Sequence, residues 1–143
     1  MKKILLILFS LLLASSVFAE QPCVKHGDNN EKCGNHPCDA EKKEIEGQLK
    51  GIWGEMNTKL SAGDIEGTLA FFVEAKKEKY RKTFTEMSRD TLTAMFIKSE
   101  ISLNEVRADM AECFASGALE GMHFSYPVSF MKDADGKWKI NDF

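Results

Sequence analysis

The fold is decided by the stretch Met122–Phe143, which reads MHFSYPVSFMKDADGKWKINDF. Large apolar side chains alternate with small or polar ones over residues 124–130, and a strand places alternate residues on opposite faces. The return segment repeats this spacing with Trp138 and Ile140. The stretch therefore predicts two antiparallel strands that have one apolar face in common.

The loop between these strands, residues 133–136, reads DADG, and its length sets the register. A two-residue turn would direct Trp138 away from the apolar face. A three-residue loop with Gly136 in the left-handed conformation places Phe130 opposite Ile140, so that the two apolar faces coincide. We therefore favour the three-residue loop.

Residues 1–19 have the composition of an export signal. Two lysines precede an apolar run over residues 4–14, and Val17-x-Ala19 supplies small residues at the expected cleavage spacing. The run is too short to span a bilayer comfortably, which takes about 20 apolar residues. We expect cleavage and a periplasmic or secreted protein outside the membrane; the alternative is an uncleaved anchor.

The mature chain, from Glu20 onward, is mildly acidic. Loss of Lys2 and Lys3 with the signal moves the formal net charge from −3 to −5. This acidity argues against nucleic acid or an anionic membrane surface as the main partner. The rest of the chain has the length of one domain, which we place at residues 39–143.

Residues 20–38 form a polar tail rich in cysteine and histidine, without an apolar period, and we expect irregular structure there. In an oxidising compartment the four cysteines favour disulfides, and one hypothesis pairs Cys23 with Cys33 and Cys38 with Cys113. The alternative is a Zn(II) or Cu(I) site, because two Cys-x-x-His spacings supply suitable ligands. Those ligands would be Cys23, His26, Cys33, His36 and Cys38.

The helical half begins with residues 39–60, which predict one long amphipathic helix. Its apolar stripe, at steps of three and four, consists of Ile45, Leu49, Ile52, Trp53, Met56 and Leu60. Three glycines in this helix each cost about 0.5–1 kcal/mol relative to alanine, and we expect them to allow close approach to the sheet. Asp64 is expected to cap a short second helix that continues through Phe72. Further helical segments are predicted over residues 76–87 and from residue 88 or 90.

Strand periodicity begins at Glu100. Ile101 and Leu103 alternate, whereas Val106 lies out of phase, which predicts a bulge near residues 104–105.

The second strand is predicted over residues 110–116, between turns at residues 107–109 and 117–121. One of its faces carries three small side chains, Ala111, Cys113 and Ala115. Such a face either leaves room for a ligand or admits the side chain of Trp53 or Phe72, and we favour the second. A ligand pocket on this face would be lined by Trp53, Phe72, Ala111, Cys113 and Tyr126.

Three patterns resemble a known superfamily, and they span roughly residues 49–143. They are Trp53-x-x-Met56-x-x-x-Leu60-x-x-Gly63-Asp64-Ile65-x-Gly67-x-Leu69-x-Phe71-Phe72, Lys79-Tyr80-Arg81-x-x-Phe84 and Phe130-x-x-Asp133-x-Asp135-Gly136-x-Trp138-x-Ile140-x-x-Phe143. The chain is similar to small exported bacterial proteins of the nuclear-transport-factor-2-like superfamily, which includes ketosteroid-isomerase-like and SnoaL-like enzymes and many non-enzymatic binding domains. The resemblance implies an α+β, cystatin-like cone, with N-terminal helices packed on a curved, about four-stranded antiparallel sheet. Our own element order, helices and then four strands, agrees with it.

The resemblance transfers no catalytic residue, because one fold serves many chemistries. Acid–base catalysis in a cone needs a carboxylate or histidine facing a tyrosine-type donor. The candidates are Tyr126, Asp142 and Glu112. The expected register places Val128 beside Asp142, so that Tyr126 and Asp142 would share a face. Each also has a structural interpretation, Tyr126 as a core aromatic and Asp142 as an acid at a frayed strand end.

We favour a non-catalytic binding or self-association module over an enzyme. Such a module would hold a small apolar ligand at the cone mouth, or a second copy of the chain against the outer sheet face. That face is expected to carry Ser125, Ser129, Met131 and Lys139, and the resemblance implies that sheet-to-sheet dimers are common. Extracytoplasmic metal binding through the tail is a further hypothesis. We expect no cofactor.

Overall fold

The computed structural model describes residues 37–119 and 121–143. Within them, helices cover one face of a single antiparallel sheet whose strand order is β1-β2-β3-β4. The elements are α1 (Asp39–Ser61), α2 (Ile65–Leu69), α3 (Lys77–Glu86), α4 (Arg89–Leu92), β1 (Glu100–Arg107), β2 (Met110–Leu119), β3 (Met122–Lys132) and β4 (Trp138–Asp142). A 3-10 turn, Glu74–Lys76, precedes α3, and a π-helical turn, Thr93–Ile97, follows α4. The predicted α+β class is confirmed, while the export signal and nearly all of the tail lie outside the described residues.

The loop between β3 and β4 has the predicted register. Phe130 lies opposite Ile140 and Lys132 lies opposite Trp138. Gly136 has a φ of 75°, a left-handed conformation that glycine adopts without steric cost. Its N–H donates a 2.9 Å hydrogen bond to the carbonyl of Asp133, which closes the loop.

The end of β4 departs from the predicted register. Ser129 lies opposite Asp142 because the pairing shifts by one residue between Ser129 and Phe130. Asn141 is therefore an extra residue in β4, and the expected pairing of Val128 with Asp142 is wrong. The shift allows the aromatic ring of Phe143, instead of the Asp142 carboxylate, to join the core.

The first two strands contain the predicted bulge, a register shift between Leu103 and Glu105. The predicted turn at residues 117–121 is too long, because β2 and β3 stay paired as far as Leu119 and Met122. Within this stretch Gly117 leaves room for the ring of Phe124. A Cβ atom at residue 117 would lie 2.6 Å from the tip of that ring, so a larger residue would displace the ring.

The second helix ends earlier than predicted. The side chain of Asp64 caps it, as expected, by accepting a 2.9 Å hydrogen bond from the N–H of Gly67. The chain then leaves the helix at Leu69 instead of Phe72, because residues 71–73 pair with β4. The N–H of Ile140 donates to the carbonyl of Phe71, at 2.8 Å, and the N–H of Val73 donates to the carbonyl of Ile140, at 3.0 Å. This short segment covers the edge of β4.

Helix α1 buries its apolar stripe against the sheet, as predicted. The core also takes in aromatic side chains from the later helices and alternate residues of every strand. Its largest fully buried members include Tyr80, Phe72, Phe96, Phe130, Leu49 and Met56. The glycines of α1 do not mediate the close approach expected of them, since nothing lies within 4 Å of a Cβ atom built at Gly47, Gly51 or Gly54.

Candidate functional site

Phe143 lies at the centre of an aromatic cluster between the helices and the sheet. Its ring centroid is 4.4 Å from that of Tyr80, 5.0 Å from that of Phe96 and 6.0 Å from that of Trp53. Phe72 contacts the same ring at 5.8 Å. Edge-to-face and tilted contacts at these separations are favourable beyond the apolar area that they bury. Aromatic side chains therefore occupy the interior beneath the helices.

The residues predicted to line a pocket are members of the core. Trp53, Phe72, Ala111 and Cys113 have at most 4% of their surface exposed, and Tyr126 packs against them partly buried. The small side chains of β2 thus share one core with Trp53 and Phe72, the arrangement that we favoured. That these residues hold a ligand stays a prediction.

Asp142 is bound by one side chain of the 3-10 turn before α3 and by two side chains of α3 itself. Its carboxylate accepts hydrogen bonds from Lys76 at 2.9 Å, from Lys79 at 2.5 Å and from the hydroxyl of Tyr80 at 2.5 Å. The Lys76 hydrogen bond, followed by those from Lys79 and Tyr80, holds the pKa of Asp142 well below its usual range. A general base near neutral pH needs the opposite shift, so Asp142 is a structural anion.

Tyr80 completes this network from the buried side. Its hydroxyl also accepts a 2.9 Å hydrogen bond from the N–H of Phe143. Burial, reinforced by the hydrogen bond to Asp142, raises the pKa of Tyr80. Residue patterns alone did not single out Tyr80, Lys76 or Lys79 as partners of Asp142. Their i, i+3 and i+4 spacing places them on one helix face, but only the bulge at Asn141 brings Asp142 to it.

Tyr126 and Asp142 have different hydrogen-bond partners. The hydroxyl of Tyr126 donates a 2.6 Å hydrogen bond to the carbonyl of Met95, in the π-helical turn. Burial raises the pKa of Tyr126 to about 12. The expectation that Tyr126 and Asp142 face each other across a pocket rested on the wrong pairing of Val128, and the two side chains have separate partners.

Glu112, the third acid–base candidate, lies on the opposite face of the sheet. It alternates with the buried residues Ala111 and Cys113 and is itself exposed. A shallow cleft of about 510 Å³ lies beside it. The cleft is lined by Glu105, Arg107, Met110, Ala111, Glu112, Pro127, Ser129, Asp142 and Phe143.

Two rows of paired residues run across the four strands on this outer face. The first, which we call the acidic row, pairs Glu105, Glu112, Ser129 and Asp142 across β1, β2, β3 and β4. The neighbouring basic row pairs Arg107, Met110, Met131 and Lys139 in the same strand order. Exposed apolar groups lie among these charges, with Met110 51% exposed and Phe114 39% exposed.

The described cysteines, Cys38 and Cys113, are free thiols. The disulfide predicted between them is therefore not formed in this structure, where Cys113 lies fully buried in the core. Burial raises the pKa of Cys113 to about 12, so its reactive thiolate is suppressed at neutral pH. Cys23 and Cys33 lie outside the described residues.

The predicted metal ligands Cys23, His26, Cys33 and His36 also lie outside the described residues. Among residues 37–119 and 121–143, the side chains of His, Cys, Asp and Glu form no group of three or more with the geometry of a metal site.

Comparison of the whole chain with protein-family models and with curated proteins gives no match. In the part of the chain that the structure describes, no helix has the length and apolar character needed to cross a bilayer.

Proposed function

We propose that this chain is an exported, non-catalytic module that associates with a second copy of itself through the outer face of its sheet. The observation that carries the proposal is the contrast between the two faces. The inner face is covered by helices and an aromatic cluster centred on Phe143, whereas the outer face exposes the cleft and the two charged rows. Membership of the nuclear-transport-factor-2-like superfamily is part of this proposal and is supported by the element order.

The acid–base candidates favour this interpretation over catalysis. Asp142 is held ionised by Lys76, Lys79 and Tyr80, and the hydroxyl of Tyr126 is engaged by a backbone carbonyl. Neither side chain is placed to exchange a proton with a substrate near neutral pH.

The two rows lie side by side, an arrangement that is compatible with a two-fold symmetric dimer. A two-fold axis that runs parallel to the rows, midway between them, sets the acidic row of one copy over the basic row of the other. Arg107 then faces Glu105 of the second copy, and Met110 faces Glu112 of the second copy. Arg107 and Glu105 are the charge-complementary pair in this arrangement, because the carboxylate of Asp142 is already bound by Lys76 and Lys79 of its own chain. This pair favours one orientation of the two sheets over others.

The size of the face predicts weak association. Four strands spaced about 4.8 Å apart, with about eight residues each at 3.3 Å per residue, present roughly 500 Å² on each copy. Stable interfaces bury about 800 Å² on each partner, and smaller ones are transient. We therefore expect a dissociation constant between about 10 µM and 1 mM.

Sedimentation velocity tests the proposal. We expect the weight-average sedimentation coefficient of the protein to rise from the monomer value toward the dimer value between about 1 µM and 1 mM. Met110→Glu places a second acid opposite the acidic row of the other copy, so we expect it to remain a monomer throughout. A monomeric wild type at the highest concentration would refute the proposal.

Met122→Glu is the matched control. Met122 is 67% exposed at the far end of the β2–β3 hairpin, outside both rows, so the same chemical change there should leave association unchanged. Equal loss of association in the two variants would show that the outer face is not the interface. Thermal unfolding verifies that both variants fold.

A further inference from the structure

A second cleft lies between the middle of α1 and the start of β1, and none of the functions discussed above uses it. Its volume is about 450 Å³, within the range of small-molecule sites. Lys50, Trp53 and Asn57 line it from α1, and Ile97, Ser99 and Glu100 line it from the opposite wall.

Asn57 is the unusual residue of this cleft. Its side chain is 6% exposed, and its Oδ1 atom is buried without a hydrogen-bond partner among the described residues. A buried acceptor without a donor is costly, and native proteins contain few of them. Since Asn57 lines a cleft, a ligand that brings a donor would remove this cost.

The opposite wall is formed at the end of the π-helical turn Thr93–Ile97. The indole N–H of Trp53 divides its hydrogen bond between the carbonyl and the hydroxyl of Ser99, both at 3.3 Å. The Ser99 hydroxyl donates to the carbonyl of Phe96 at 2.7 Å, which fixes this wall. π-Helical turns are rare and occur frequently at functional sites. The π-helical turn is therefore a second indication, independent of Asn57, that the cleft is a functional site.

We propose that this cleft binds a small molecule that carries a carboxamide, whose N–H donates to Oδ1 of Asn57. Oδ1 is enclosed in this structure, but the terminal torsion of asparagine is soft, so a half-turn of the amide exchanges Oδ1 with Nδ2 and turns Oδ1 toward the cleft. An asparagine amide both accepts and donates, and another amide is its natural complement. Ile97 and Trp53 provide the apolar walls that the rest of such a ligand needs.

The charges around the cleft select a neutral ligand over an ion. Lys50 and Glu100 carry opposite charges at its rim, and the ammonium of Lys50 already lies 2.8 Å from the carboxylate of Glu46. Because one charge of each sign lies at the rim, an added ion of either sign gains no net attraction there, while it loses its hydration. A volume of about 450 Å³ accommodates a ligand as large as a short blocked peptide.

Three probes of similar shape, isobutyramide, isobutyrate and isobutylammonium, test the proposal. Each is titrated into ¹⁵N-labelled protein while the resonances of the Asn57 side-chain amide and of the Ser99 backbone are followed. We expect saturable shifts with isobutyramide at millimolar concentration, and at least tenfold weaker binding of the two ions. Absence of saturation up to the solubility limit of the amide, or equal binding of all three probes, would overturn the proposal.

Variants locate the binding. Asn57→Leu should abolish the saturable shifts at Ser99. Gln48→Leu, which also replaces a side-chain amide by leucine but at an exposed position of α1, should leave them intact. Should Asn57→Leu not fold, Gly54→Leu fills the open space beside the cleft and should have the same effect on binding. Persistent isobutyramide binding in a folded Asn57→Leu or Gly54→Leu protein would contradict the assignment. The proposed association through the outer face involves other residues, so the outcome of this experiment does not test it.

Discussion

The hydroxyl of Tyr80 donates a 2.5 Å hydrogen bond to the carboxylate of Asp142, and it thereby ties α3 to the end of β4. The same hydroxyl accepts a hydrogen bond from the N–H of Phe143. Two consecutive residues are thus fixed by one side chain, the first as an anion at the surface and the second as an aromatic ring in the core. This relationship explains why the end of the chain is ordered against the helices.

Replacement of Asp142 by asparagine should weaken acid sensitivity. The pKa of Asp142 is lowered in the folded state, so its ionisation stabilises the fold above the unfolded pKa, about 3.9, and that contribution is lost as the pH falls below this value. Because the carboxylate is partly exposed, we expect a loss of about 1 kcal/mol at pH 7 in Asp142→Asn. Urea unfolding at pH 7 and pH 3 measures both effects, and the difference between the two proteins should be smaller at pH 3 than at pH 7. The same loss in Asp135→Asn, at an exposed loop position, would show that the effect is not specific to this network.

Tyr80→Phe should be less stable by about 1–2 kcal/mol, since it removes a hydrogen bond to a charged group and keeps the ring. The pKa of Tyr80 is raised in the folded state. Its neutral form therefore contributes stability that is present below about pH 10 and is lost as the pH rises above that value. We expect a shallower decline in the free energy of unfolding above pH 10 in Tyr80→Phe than in the wild type. An identical alkaline limb in the two proteins would contradict the assigned role.

Phe143→Ala should lower the free energy of unfolding by about 2 kcal/mol, less than the loss for a fully buried phenylalanine, because Phe143 is partly buried. Phe143 contacts rings from α1, α3 and the π-helical turn, so its removal leaves a cavity at the centre of the cluster. Phe143→Leu retains much of the volume and should cost about 1 kcal/mol. Chemical denaturation of both variants tests this, and a change under about 0.5 kcal/mol in Phe143→Ala would exclude a central role for the ring.

Gly47→Ala and Gly51→Ala should each stabilise the protein by about 0.5–1 kcal/mol, because both positions are exposed in α1 and a Cβ atom meets nothing there. Gly136→Ala is the opposite control. Its φ of 75° is unfavourable for alanine, so that variant should be less stable by about 1 kcal/mol. Thermal unfolding of the three variants distinguishes the two signs.

Cys113 should resist alkylation until the protein unfolds. Its sulfur is buried and its pKa is raised to about 12, whereas Cys38 is partly exposed at the start of α1. Mass spectrometry after iodoacetamide treatment, with and without urea, measures the difference. Recovery of a Cys38–Cys113 disulfide from protein isolated without reductant would contradict the structure.

The strand half of the fold was predictable because its signal is local. Alternation over β3 and β4, together with a glycine at the left-handed loop position, fixes both the faces and the register near Gly136. The bulge at Asn141 was missed because continued alternation places Asp142, not Phe143, on the inner face. Phenylalanine is buried far more often than aspartate, and this difference was the one indication in the sequence that Phe143 would take the inner position.

The candidate sites were less accessible from sequence. The outer rows follow from cross-strand pairing, which a single misplaced bulge changes for every residue beyond it. The unpaired Oδ1 of Asn57 has no sequence signal, because a polar residue on an amphipathic helix is ordinarily solvated. Only the packing of β1 against α1 reveals that its Oδ1 is enclosed.

The most direct test of the account is a charge exchange on the outer face. Arg107 and Glu105 pair within one chain at 2.6 Å, and the proposed dimer also sets each opposite the other residue of the second copy. In sedimentation equilibrium we expect Arg107→Glu to weaken association at least tenfold and the double variant Glu105→Arg/Arg107→Glu to restore it. Association that is unchanged in Arg107→Glu, or that is not recovered in the double variant, would contradict pairing of the two copies through this face.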